Sequence, residues 1–189
     1  ITFSAAVNSS SMSASMSGSS LTFAPALDPF AAFPLNCGIF ARGTMICHCL
    51  LVETPSDGLV LVDTAIGTSD CRDPARRLGW PFATFMLPRP LPEEDTALRQ
   101  IERLGFQARD VRHILVTHLD VDHAGGLPDF PEARVHLMQT ERDAALTPRT
   151  LKESHRYRSV HFAHGPLWEV YAPQGEPWRG LPCVRQLRG

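Results

Sequence analysis

Between Thr117 and Gly126 the chain reads Thr-His-Leu-Asp-Val-Asp-His-Ala-Gly-Gly, directly after the apolar run Ile114-Leu115-Val116. His118, Asp120, Asp122 and His123 thus place two imidazoles and two carboxylates within six consecutive residues. On a tight turn at the end of a buried strand such groups repel one another and lose hydration, a cost that a divalent cation removes. Mixed nitrogen and oxygen donors suit zinc, iron or manganese. Gly125 and Gly126 are expected to let the backbone bend closely around the ion. Taken singly, each of the four has an ordinary alternative as a solvated loop residue, a turn former or a helix N-cap. Together at this spacing they are costly without an ion, and the metal reading is preferred.

The segment resembles the signature of the metallo-β-lactamase superfamily, His-x-His-x-Asp-His at the end of a strand followed by small residues. His118, Asp122 and His123 stand in the matching places, and Asp120 stands where the family usually has its second histidine. An acidic residue there resembles the diiron branch and some hydrolase branches. Upstream, Leu59-Val60-Leu61-Val62-Asp63-Thr64 followed by Gly67 resembles the family's strand ending in an aspartate, which lies behind the metal loop and orients it. The two motifs and the pattern between them span roughly residues 45 to 146.

The resemblance implies an α/β fold, the αββα sandwich, here the first half plus part of the second. It also implies a small-molecule hydrolase with two metals, zinc first, with iron or manganese as options. Metals in such a site bring the pKa of a water from about 15.7 toward about 7 and polarise the scissile carbonyl or phosphoryl oxygen. By position, His118 and Asp120 would serve the first metal, and Asp122 and His123 the second. Asp122 would also orient the nucleophile and pass a proton to the leaving group. The carboxylate of Asp120 should favour iron or manganese more than a histidine would. The family pattern further calls for a later histidine, a bridging aspartate and a last histidine in a Pro-Gly-His stretch. None of these appears before Gly189, and His155, His161 and His164 are the only later histidines. Cleavage of an ester, lactone, thioester or amide is the leading expectation, lactonase-like first. The alternatives are a diiron oxygen or nitric oxide reductase-like domain, and a non-catalytic module retaining the fold.

The elements that must position this loop can be read around it. Met45 to Glu53 and Leu59 to Asp63 form two strands joined by the turn Pro55-Ser56-Asp57-Gly58, a hairpin. Asp73 and Pro74 open a short helix that Gly79 stops. Trp80 to Pro92, with four prolines, reads as a packed surface loop in preference to a lid, covering something apolar. Acidic Glu93-Glu94-Asp95 precede a helix with the apolar stripe Ala97, Leu98, Ile101 and Leu104, ended by Gly105. His113 to Thr117 is the strand that delivers the loop, Ala133 to Leu137 the next strand, and Gln139 to Leu146 a helix. His113 and His136 read as structural. Alternating strands and amphipathic helices point to helices outside and sheet inside. Beyond Pro148, aromatic residues such as Tyr157, Phe162 and Trp168 suit either a pocket mouth or a packing layer.

With 189 residues one domain is expected, and 43% hydrophobic content suffices for a core. A net charge of −2 gives no reason to propose nucleic acid or an anionic membrane as partner. No apolar run is long enough to span a bilayer. Five cysteines without a C-x-x-C pair argue against a disulfide framework and for a reducing, cytoplasmic setting. In Cys47-His48-Cys49 the alternation of a strand turns His48 away from the cysteines, so the trio is structural. The chain begins at Ile1 and reads as a fragment or processed product. Residues 1 to 36 are expected to be a Ser-rich, Pro-broken lead-in without order, and residues 37 to 189 the folded domain, truncated at its C-terminus.

Overall fold

The structure, a computed structural model, describes residues 31–40, 45–88 and 91–184. The expected lead-in falls outside the described residues as far as residue 30. Its last part does not: strand β1 (Ala32–Phe40) pairs antiparallel with β2 (Met45–Glu53), so regular structure is already present ahead of Cys37. Pro34 is accommodated because β1 is an edge strand, where a missing N–H costs no ladder bond.

One six-stranded sheet carries the fold in the order β1-β2-β3-β4-β5-β6, with β3 (Leu59–Val62), β4 (Val111–Leu115), β5 (Arg134–Met138) and β6 (Leu167–Tyr171). The hairpin β2–β3 is antiparallel and turns through Gly58 at φ +72°. From β3 onward the neighbours are parallel, and each connection crosses over through helices. These are α1 (Thr68–Arg72), α2 (Pro74–Leu78), α3 (Trp80–Phe85) and α4 (Ala97–Arg103) between β3 and β4. The next is α5 (Val121–Ala124) between β4 and β5, then α6 (Gln139–Leu146) and α7 (Leu151–Arg156) between β5 and β6. Parallel crossovers of one hand place their helices on one face of a sheet. The burial agrees: Leu51, Leu61, Ile114, Val135 and Leu137 are sealed on that face, while Leu50, Val52, Val60, Val62, Leu115 and Met138 on the other are half-buried. A small antiparallel pair, β7 (Glu176–Trp178) and β8 (Leu181–Val184), follows.

Cys47 and Cys49 are buried and His48 is exposed, as strand alternation requires. Asp73 caps α2 by accepting from the Arg76 N–H, with Pro74 in the first turn. Trp80 to Pro92 is not wholly loop, since Trp80–Phe85 is helical; its proline sits in the first turn, where no intrahelical N–H bond is lost. Helix α4 begins after a short turn at Glu93–Asp95, with Thr96 as the cap in place of the acidic residues. His113 and His136 are buried in the sheet, joined Nδ1 to Nε2 at 2.9 Å, and His136 Nδ1 meets the Tyr171 hydroxyl at 2.7 Å. Both are structural, as expected. Among the described residues no helix is long and apolar enough to cross a membrane.

Candidate metal centre

The loop at the C-terminal end of β4 is fixed by the end of β3. Asp63 and Ala65 both adopt left-handed backbone, at φ +56° and +51°. Asp tolerates this conformation and Ala does so only under constraint from its surroundings. The turn aims the Asp63 carboxylate at the loop. Its Oδ1 accepts the Thr117 N–H at 2.8 Å, and its Oδ2 accepts the Thr117 hydroxyl at 2.8 Å and meets His123 Nδ1 at 2.9 Å. Thr117 Oγ1 in turn meets His118 Nδ1 at 2.9 Å.

Donor accounting then fixes both imidazoles. A carboxylate only accepts, so His123 carries its proton on Nδ1 and the Thr117 hydroxyl proton is spent on Asp63. The threonine oxygen can therefore only accept from His118, which also carries its proton on Nδ1. In the neutral rings this turns both Nε2 lone pairs away from the Asp63–Thr117 chain, the tautomer a metal ligand needs. Burial pulls the His123 proton affinity down, but the Asp63 hydrogen bond and the charges of Asp63, Asp122 and Asp120 outweigh it and raise the pKa.

The four sequence-predicted residues lie together. The rings of His118 and His123 are 3.9 Å apart between centroids. His118 Nε2 lies 3.6 Å from Asp120 Oδ2, and His123 Nε2 lies 3.8 Å from Asp122 Oδ2. Donors about 2.1 Å from a tetrahedral zinc are about 3.4 Å from each other, so each pair stands a few tenths of an ångström wide of that spacing. Among the described residues no three His, Cys, Asp or Glu side chains form one cage; the donors come as two pairs. Donor chemistry, Nε2 atoms turned toward the carboxylates and a carboxylate behind the imidazoles all fit a divalent metal.

The glycines act differently from the sequence expectation. Gly67 and Gly126 serve backbone-to-backbone packing of the β3–α1 loop on the metal loop. A Cβ on Gly67 would stand 2.5 Å from the Gly125 carbonyl oxygen, and one on Gly126 would stand 2.6 Å from that of Thr64. Thr64 donates through both N–H and hydroxyl to the His123 carbonyl, at 2.9 Å each, and Gly126 N–H donates to the Ala65 carbonyl. Asp70, fully buried, ties the same loop down by accepting from the Gly67 N–H, Arg77 Nε and His161 Nε2. His161 is thus engaged in the interior, and His155 Nδ1 bonds the Leu151 carbonyl in its own helix.

Several partners of these residues escaped sequence reasoning. The Arg156 guanidinium, on α7, forms an ion pair with Asp120 Oδ1 and reaches Glu141 at 3.6 Å. Glu141 Oε1 accepts the Leu119 N–H at 2.8 Å, and the guanidinium lies 4.9 Å from the Tyr157 ring centre. The Cys47 thiol, its pKa pushed up chiefly by burial and then by Asp122, stays protonated and donates to the Asp122 carbonyl at 3.4 Å.

The fold is thus a mixed sheet with crossover helices that carries two His–Asp pairs at a strand's end. Residues 42–171 match the sequence profile of the Metallo-beta-lactamase superfamily, and the chain belongs to that family. It is 48% identical over 161 residues to a probable metallo-hydrolase of Mycobacterium tuberculosis, covering 84% of this chain and 51% of that protein. It is 34% identical over 98 residues to an N-acyl homoserine lactonase of Bacillus thuringiensis, covering 52% of this chain and 38% of the lactonase. The chain thus spans about half the length, or less, of these relatives. Among solved structures, a variant of B. thuringiensis AiiA with N-decanoyl-L-homoserine bound shares the fold with a TM-score of 0.59 at 23% identity, over 79% of this chain and 62% of that one. An N-acyl homoserine lactone hydrolase with N-hexanoyl-L-homoserine at its catalytic metal centre gives 0.57 at 24% identity, over 80% and 62%.

Proposed function

We propose that this chain carries the metal-binding half of a hydrolase site for small-molecule esters, lactones first, with zinc held by His118, Asp120, Asp122 and His123. The observation that carries this reading is the Asp63–Thr117 hydrogen-bond chain, which engages both Nδ1 atoms and turns both Nε2 atoms toward carboxylate oxygens. A divalent metal there supplies an acidified water and an electrophile for a carbonyl oxygen.

The residues of the chain do the rest. Asp63 and Thr117 hold the imidazoles in one tautomer and orientation. Asp122, with its backbone carbonyl bonded by Cys47 and its carboxylate about one-fifth exposed, can accept a proton from a nucleophile and return it to the leaving group. A cleft of about 510 Å³, lined by Cys37, Ile66, Cys71, Phe85, Leu87 and Leu91, shares Ile66 with the loop that packs on the site. It suits the apolar part of a small substrate. The lactonase relatives support the lactone preference.

Asp122→Ala in the full-length, zinc-loaded protein should lower hydrolysis of an N-acyl homoserine lactone or a nitrophenyl ester by 100-fold or more, about the scale of a lost general base, with the fold retained by circular dichroism. Unchanged turnover in that variant overturns the assignment.

A further inference from the structure

Asp120 is the one donor position whose residue type calls for a counter-charge. Two carboxylates and two neutral imidazoles give the four donors a formal charge of −2, whereas a histidine at position 120 would give −1. The structure answers that difference. Arg156 reaches across from the end of α7 to ion-pair with Asp120 Oδ1, leaving Oδ2 turned toward His118 Nε2. The guanidinium is itself held in place, since Glu141 binds it from one side and the Tyr157 ring stacks beside it. Glu141 also accepts the Leu119 N–H within the metal loop, so arginine, glutamate and loop form one connected unit. A surface arginine without a task does not require two anchors of this kind.

We propose that Arg156 is a positioning residue of the metal site: it neutralises the carboxylate at position 120 and fixes which oxygen faces the metal. This rests on the reading of Asp120 as a donor. The Asp120–Arg156 pair then behaves as one unit with the net charge of a histidine but a hard oxygen donor. It follows that the two residues are interchangeable with a neutral side chain only together. Replacing Asp120 alone takes away the carboxylate between the guanidinium and a dication and leaves Glu141, 3.6 Å away, as its remaining partner, whereas replacing both removes that repulsion.

Zinc titration by calorimetry on the full-length protein tests this without any measurement of turnover. Asp120→His should weaken zinc binding by about tenfold or more, and adding Arg156→Gln to it should restore at least that factor, as removal of a nearby like charge requires. Asp120→Asn, which takes away the same charge with almost no change of shape, serves as the second background if the histidine variant folds poorly by thermal melting. If Arg156→Gln leaves zinc affinity unchanged or lower in both backgrounds, the arginine merely anchors α7 and the proposal is overturned. Wild-type protein that binds no zinc defeats the underlying hydrolase reading instead, a result distinct from wild-type binding without coupling.

Discussion

At the scale of single residues, the site depends on the direction of a few hydrogen bonds. Asp63 must accept three times, from the Thr117 N–H, the Thr117 hydroxyl and His123 Nδ1. In Asp63→Asn an amide donor faces groups that donate. His123 would then turn its proton onto Nε2, and the Thr117 hydroxyl would lose its acceptor. Zinc affinity should fall 10- to 100-fold, the usual loss when a carboxylate behind a metal-ligating histidine is removed, with little change in the circular dichroism spectrum. The four candidate donors and Asp63 were legible in the sequence because they sit in two short, local motifs. Arg156 was not. It lies 36 positions from Asp120 on a polar helix, where an arginine reads as solvent-facing until tertiary contacts are known.

At the scale of elements, two loops support each other through contacts that have no room for a side chain. Gly67→Ala places a methyl group against backbone atoms of Gly125 and Gly126. Backbone cannot move aside as a flexible side chain would, so destabilisation of about 1–3 kcal/mol is expected from denaturant unfolding. Zinc binding should weaken in the same variant, because the metal loop is what must shift. The hairpin β2–β3, helix α2 and helix α4 were readable from turn residues, an Asp-Pro cap and an apolar stripe. Helix α3 and the start of β1 were not, because proline in a sequence reads as a breaker in both places. One proline opens a helix and the other lies on a sheet edge.

At the scale of the molecule, the sheet face away from the helices bears half-buried aliphatic side chains around the His113–His136–Tyr171 chain. Burial, followed by the neighbouring His113, pushes the His136 pKa down to about 4, and burial lowers that of His113 as well. In the unfolded chain these imidazoles titrate near 6.5, so as the pH falls the unfolded state takes up protons first. Their contribution to stability is therefore complete above about 6.5 and lost as the pH falls to about 4. Urea midpoints should drop across that window in the wild type and drop less in His136→Gln. A parallel fall in both proteins would show that this pair is not the acid-sensitive element. Sequence spacing placed both histidines on strands, but the contact between them depends on the parallel register of β4 and β5.

The central claim is that His118, Asp120, Asp122 and His123 hold a divalent metal. Zinc content and affinity, measured by metal analysis and calorimetry on purified wild-type protein and on His118→Ala/His123→Ala, test it most directly. Bound zinc is expected in the wild type, with a loss of 100-fold or more in affinity in the double variant, whose thermal unfolding stays cooperative. Equal zinc binding by the two proteins, or none by the full-length wild type, would contradict it.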